Sequence, residues 1–239
     1  MASKDIIYEA NTYSISYDLV NPKEEKTLLI LHGWGANKEI MKKAFSRYLP
    51  SYCHVYVDLP GFGNSNIYTP LKSEDYKNII VEFLKSLSKK PEIIMGHSFG
   101  GKVATLLQPK RLVLLSSAGI VPKKPLQIRI KIALFKLLKN LGGKNLYKLF
   151  ATKDVEGMSE VMYETLKNVV DEDMSNEFMN YDGKCFIFWG DEDKATPLKS
   201  GETINRYIKG SEFFPLKGDH FFFLLHSEFI TNVIGGEIC

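Results

Sequence analysis

Ser98 stands in Gly96-His97-Ser98-Phe99-Gly100, a G-x-S-x-G pattern with the apolar run EIIM before it and GKVATLL after it. The first reads as a strand and the second as the start of a helix. A corner this tight forces unusual dihedrals on its central residue and brings neighbouring backbone close, so small residues are needed on both sides. Placed there, Ser98 projects from the end of a sheet at a helix N-terminus, where the helix dipole favours developing negative charge. A serine hydroxyl is a poor nucleophile near neutral pH and needs a base to take its proton.

Five histidines compete for that role. His32 lies in LHGWG, His54 opens a strand, His97 adjoins the serine and would point away from it, and His226 falls inside the terminal helix. His220 follows the last apolar run, in PLKGDHFFF, on a glycine-bearing loop at the sheet edge expected for Ser98. Such a base needs a carboxylate to hold its tautomer and to stabilise the imidazolium. WGDEDKATP offers Asp191, Glu192 and Asp193 just past a strand end. Asp193 is the first choice and Asp191 the second. Asp219 is adjacent to His220 in the chain, and adjacent side chains rarely reach each other's rings. An acyl-transfer intermediate also requires preorganised donors for its oxyanion. The backbone N–H of Phe99 supplies one, and the loop after TLLILHGWG supplies another, with Gly33 and Gly35 letting the backbone approach.

These residues need a frame that brings distant loops to one edge. The runs TLLIL, HVYV, EIIM, RLVLL and KCFIFW lack alternation, which suits strands buried on both faces of a parallel sheet. Between them, EDYKNIIVEFLKSL places Tyr76, Ile79, Ile80, Phe83, Leu84 and Leu87 at helical spacing, with Ser73 as the expected N-cap. GGKVATLLQP, PLKSGETINRYIKG and FFLLHSEFITNVI are further helix candidates, so strand and helix alternate as in a doubly wound sheet. DIIYEANTYSISYDLVNP predicts two short strands joined by a turn at Asn11, an antiparallel edge to the same sheet. From residue 121 to 183 the pattern is only helical, with Ile130, Leu134, Leu137, Leu138 and Leu141 on one stripe. An insertion of that kind forms a helical cap over the place where open α/β sheets bind ligands. The expected division is a core of 1–120 and 184–239 with a cap of 121–183.

Composition narrows the class further. With 44% hydrophobic and 25% charged residues over 239 positions, the chain suits one globular α/β domain and excludes disordered, collagen-like and disulfide-stapled classes. No segment has the apolar length of a signal peptide or a membrane span, so a cytoplasmic location is expected. Cys53, Cys185 and Cys239 are too few and too far apart for a zinc site or a disulfide framework. The net charge is only +3 but unevenly spread: no Asp or Glu occurs from Ile93 to Lys153, whereas acids dominate from Asp154 to Asp182. The basic stretch predicts an anionic partner such as an acidic carrier protein or a lipid head group. No nucleic-acid partner is expected.

LHGWG, VDLPGFGNS, GHSFGG, WGDEDKATP and GDH, in this order, make the chain resemble the capped α/β-hydrolase superfamily along nearly its whole length. The resemblance implies a mostly parallel eight-stranded sheet flanked by helices, with nucleophile Ser98, acid Asp193 and base His220 in that family's chain order. It implies oxyanion N–H groups at Trp34 and Phe99, inserted helices lining an acyl pocket, and no metal or organic cofactor. Phe135, Leu138 and Phe150 of the insertion are candidate pocket residues beside Trp34 and Phe99. HGWG paired with VDLPGFG looks most like the pimeloyl-carrier-protein methyl ester esterases and neighbouring carboxylesterases. The function so implied is hydrolysis of a carboxylic ester or thioester of a small acyl substrate. Two alternatives stay open: carbon–carbon hydrolysis of the meta-cleavage product type, whose enzymes usually carry a glycine-richer oxyanion loop, and a non-catalytic receptor that uses the pocket only to bind.

Overall fold

The computed structural model describes residues 2–121 and 158–236. Eight strands among them form one sheet in the order β1-β2-β4-β3-β5-β6-β7-β8. These are β1 (Ala2–Tyr8), β2 (Asn11–Val20), β3 (Thr27–Leu31), β4 (Cys53–Val57), β5 (Ile93–His97), β6 (Arg111–Leu115), β7 (Lys184–Gly190) and β8 (Glu212–Leu216). β1 pairs antiparallel with β2, and β2 antiparallel with β4; every pairing from β4 to β8 is parallel. The expected antiparallel edge is present, but β2 is ten residues long and Asn11 is its first residue. The turn falls on Glu9 and Ala10, with Glu9 in the left-handed region at φ 51.

The unbroken apolar runs are strands with both faces covered. Along β3, Leu29 and Leu31 join one core cluster and Leu28 and Ile30 the other, the period of two that a pleated strand imposes. The first cluster lies under α2 (Ser73–Ser86), α3 (Phe99–Leu106) and α6 (Leu198–Tyr207), and the second under α1 (Lys38–Phe45) and α7 (Phe223–Gly235). Burying each Leu, Ile or Phe on these faces contributes roughly 1.5–3 kcal/mol relative to exposing it. Between β6 and β7 the described residues hold α4 (Glu160–Val169) and α5 (Ser175–Met179). Met162, Val169, Met174, Phe178 and Tyr181 from this stretch share the first core cluster with the sheet. The remainder of the expected cap, 122–157, lies outside the described residues.

Ser73 does not cap α2. Lys72 holds the N-cap position, its amide donating to the Asp75 carboxylate at 2.7 Å, while the Ser73 hydroxyl donates instead to Glu172. The helix starts one residue earlier than expected, so Ser73 is its first residue and its hydroxyl serves a tertiary acceptor.

Strand order places the site. β4 and β5 lie on opposite sides of β3, so the chain reverses its direction of travel across the sheet there, and a crevice opens at such a switch point. The parallel register aligns Leu31 with Gly96 and His97 with Leu115, so the segments after β3, β5, β7 and β8 leave the same edge.

Candidate active site

Ser98 links β5 to α3 with φ 51 and ψ −115, a conformation that costs on the order of 1–3 kcal/mol for a residue with a side chain. The flanking glycines make it feasible. A Cβ on Gly96 would lie 2.3 Å from the Gly100 carbonyl oxygen, and one on Gly100 would lie 2.5 Å from that of His32. The backbone of Ser98 is fixed on both sides. Its N–H donates to Leu115 O, and its carbonyl accepts from Gly101 and Ala118, each at 3.0 Å.

His220 and Asp193 meet from the segments after β8 and β7. His220 Nδ1 lies 2.7 Å from Asp193 Oδ2, and the Asp193 side chain has no exposed surface. Oδ1 of Asp193 accepts from the amides of Ala195 at 2.8 Å and Thr196 at 2.9 Å, and Oδ2 also accepts from the Thr196 hydroxyl at 2.9 Å. Burial pushes this carboxyl up, but the hydrogen bonds from His220 and the Thr196 amide outweigh it and hold the group down to about 2. An ionised acceptor at Nδ1 requires the proton there and leaves the lone pair on Nε2. Asp191 is turned elsewhere: its Oδ1 accepts from the Gly218 amide at 3.0 Å. Asp219 accepts from the Phe221 amide at 2.8 Å. Among the described residues the hydroxyl of Ser98 donates no hydrogen bond, so the hand-over from Oγ to Nε2 is not pre-formed. Catalytic hydrogen bonds are often long before substrate arrives.

His97 supports His220 from below. The two rings lie 4.6 Å apart, and His97 Nε2–H donates to the backbone carbonyl of His220 at 2.9 Å. Burial, then the neighbouring His220, hold His97 down to about 3, so it is a neutral strut.

Trp34 and Phe99 are the residues whose backbone amides are expected as oxyanion donors. Phe99 is the first residue of α3 and its amide has no intrahelical acceptor. Among the described residues neither the Phe99 nor the Trp34 amide donates a hydrogen bond. His32 aims the second one. It accepts from the Leu59 amide at Nε2, 3.0 Å, and donates from Nδ1 to Gly33 O, 2.8 Å. A planar trans peptide whose carbonyl is held on the His32 side must point the Trp34 N–H the other way. Burial holds His32 down to about 4, which preserves the neutral tautomer. A Cβ on Gly33 would lie 2.9 Å from His97 Nδ1 and 3.0 Å from Ser98 Cβ, so only glycine lets this loop approach the corner. Below it, the buried pair Lys38 and Asp58, 2.8 Å apart, fixes the loop that follows β4.

A cavity of about 340 Å³ opens beside Ser98, walled by Trp34, Phe99, Ala118, Leu166, Val169 and Pro197. The two expected aromatic lining residues, Trp34 and Phe99, are in it and touch edge to face at 5.7 Å. Phe135, Leu138 and Phe150 lie outside the described residues, as does the part of the basic stretch from residue 122 to Lys153. Cys53 and Cys185 are buried thiols at the starts of β4 and β7, at the other end of these strands from the site, and Cys239 is not among the described residues. No helix among the described residues is long and apolar enough to cross a membrane.

Sequence reading missed His97, His32 and the Lys38 to Asp58 pair as supports of the site. The adjacency of His97 to the serine was visible, but its partner lies 123 residues away.

Comparison with known proteins places the chain by sequence and fold. The chain is 34% identical over 96 residues to a pimeloyl-[acyl-carrier protein] methyl ester esterase of Pseudoalteromonas atlantica, a match covering 38% of this chain and 36% of that protein. The matched stretch is thus about a third of the relative's length. A relative of the same description from Neisseria meningitidis is 24% identical over 237 residues, covering 87% of this chain and 91% of its own. Among solved structures, an esterase of Exiguobacterium antarcticum shares the fold with a TM-score of 0.76 at 20% identity, covering 99% of both chains. The model of the alpha/beta hydrolase family matches residues 28–229, and with the sheet order and the serine corner described above the chain belongs to that family.

Proposed function

We propose that the chain is a serine hydrolase that cleaves a carboxylic ester or thioester through an acyl-enzyme. The observation that carries this reading is the Asp193 to His220 hydrogen bond at 2.7 Å, at the sheet edge from which Ser98 emerges in its constrained conformation. Ser98 Oγ attacks the substrate carbonyl carbon as its proton passes to His220 Nε2. Asp193 stabilises the resulting imidazolium, and the Trp34 and Phe99 amides hold the oxyanion. Collapse of the tetrahedral intermediate breaks the bond to the leaving alcohol or thiol, which takes the proton from Nε2. A water molecule then repeats the sequence against the acyl-serine, releasing a carboxylic acid and free Ser98.

The relatives' printed names favour an acyl group presented on a carrier protein, and an acid-free stretch from Ile93 to Lys153 would suit such an acidic partner. In this reading residues 121–183 form a cap over a core of 1–120 and 184–239, and the protein works in the cytoplasm. Turnover of p-nitrophenyl esters by wild type and Ser98→Ala, side by side, tests the proposal. The variant loses about four to six orders of magnitude if the three side chains act as a unit. Unchanged turnover overturns it.

A further inference from the structure

Lys102 lies on α3, four residues past Ser98, with only 2% of its side chain exposed. Taking an ammonium out of water costs several kcal/mol, so it must find acceptors for all three protons. It does. Nζ donates to Val169 O at 2.6 Å and to Glu172 O at 3.1 Å, and lies 3.1 Å from the Glu172 carboxylate. Val169 is the last residue of α4, so its carbonyl sits at the negative end of that helix. Glu172 in turn accepts from Ser73 at the start of α2. One buried cation therefore gathers α2, α3 and the end of α4.

The middle of α4 is held separately. The Leu71 amide donates to Thr165 Oγ1 at 3.1 Å, and Asn168 donates to Leu71 O at 3.3 Å. Only the C-terminal end of the helix depends on Lys102, and that end is also a wall of the cavity: Leu166, Val169 and Val170 line the same space as Ser98 and Lys102 itself. With every donor engaged inside the protein, the ammonium offers nothing to a substrate carboxylate. The α4 side chains that a substrate chain meets at this wall, Leu166 and Val169, are aliphatic, and Val170 and then Asp171 continue the lining past the helix end.

We propose that Lys102 is a specificity-determining positioning residue, which clamps the end of α4 against α3 as the far wall of the acyl pocket and so limits the length of the apolar acyl chain accepted. The inference rests on the reading of Ser98 as the residue that becomes acylated. Releasing the clamp lets the end of α4 move outward, and the pocket then gains room for methylenes.

Alkyl fluorophosphonates with an ethyl or an octyl chain test it, through the second-order rate of Ser98 modification followed by intact mass. Wild type, Lys102→Met and Glu172→Gln are compared, with thermal melts run alongside. In Lys102→Met the ratio of octyl to ethyl rate rises about tenfold, the effect of a few methylenes in a pocket. Glu172→Gln, which keeps the shape of the acceptor but removes its charge, moves the ratio in the same direction and carries the test if Lys102→Met does not fold. A purely structural role would lower the melting temperature and leave the ratio alone. Wild type modified at Ser98 with the ratio unchanged to within about twofold in the folded variants overturns the proposal and spares the nucleophile. Wild type unmodified at Ser98 overturns the functional reading, and the clamp's role in selectivity with it.

Discussion

The His97 and His220 rings lie 4.6 Å apart between centroids, tilted by 49°, and His97 donates its Nε2–H to the carbonyl oxygen of His220. The residue before the serine thus holds the backbone of the residue that would take the serine's proton. Phe221 and Phe223 pack against the same His97 ring at 5.4 and 4.9 Å. His97→Phe keeps the aromatic contacts and deletes only the hydrogen bond. The imidazole of His220 then loses part of its anchorage. A misplacement of about 1 Å costs on the order of 10²-fold in rate. The variant is expected to lose about 10–100-fold in kcat with a smaller change in KM, measured on a p-nitrophenyl ester. Retention of wild-type kcat would remove His97 from the positioning role.

The two aspartates after β7 separate cleanly. Asp193 is buried against His220, whereas Asp191 serves the Gly218 amide. Asp193→Asn is expected to lower kcat by about 10⁴-fold, because an amide can donate to Nδ1 and favour the wrong tautomer. Asp191→Asn retains an acceptor for Gly218 and stays within about tenfold of wild type, a loop adjustment rather than a lost charge. Equal losses in the two variants would contradict the assignment.

Acid stability follows from the buried rings. Burial holds His32 near 4 and His97 near 3, while both titrate at about 6.5 once unfolded. Between those values the unfolded chain binds the proton and the folded chain does not, so stability is complete above about 6.5 and falls as the pH drops. Each histidine costs about 1.4 kcal/mol per pH unit there. Asp193, depressed to about 2, adds a loss in the same direction only at lower pH, below about 4. Urea midpoints are expected to be level above neutrality and to fall steadily between about pH 6.5 and 4, with a shallower slope in His97→Phe. A midpoint that holds level down to about pH 4.5 would mean the two rings are protonated in the folded protein.

Under the proposed function, His32 acts on the oxyanion donors rather than on the acyl chain. His32→Leu removes the hydrogen bond that fixes Gly33 O, and with it the orientation of the Trp34 amide. Losing one such donor costs about 10²–10³ in kcat. The variant is expected to show that loss equally for short and long esters, which separates it from Lys102→Met. A chain-length effect in His32→Leu would contradict the assignment.

What was legible in the sequence was local. The tight corner at Ser98 shows in the chain because its steric demands fall on Gly96 and Gly100, two residues to either side. The strands β3 to β7 show because a parallel sheet buried on both faces writes short unbroken apolar runs. Choosing among Asp191, Glu192 and Asp193 is different in kind. The bond from the Asp193 amide to Gly190 O, at 3.3 Å, forms a turn that carries Asp193 inward, and spacing alone does not specify it. The supports that sequence reading missed all depend on partners distant along the chain: 67 residues between Lys102 and Val169, 27 between His32 and Leu59. Ser73 has the type of an N-cap residue, yet its acceptor lies 99 residues on. Local rules give way where folding brings a charged partner within reach.

Covalent capture of the serine is the sharpest measurement. Folded wild type is treated briefly with a simple alkyl fluorophosphonate, and the adduct is located by peptide mass analysis. One adduct per chain, on the peptide carrying Ser98, absent in Ser98→Ala and slowed in Asp193→Asn, is the expected result. Ester turnover by folded protein that leaves Ser98 unmodified, or modification at another residue instead, would contradict it.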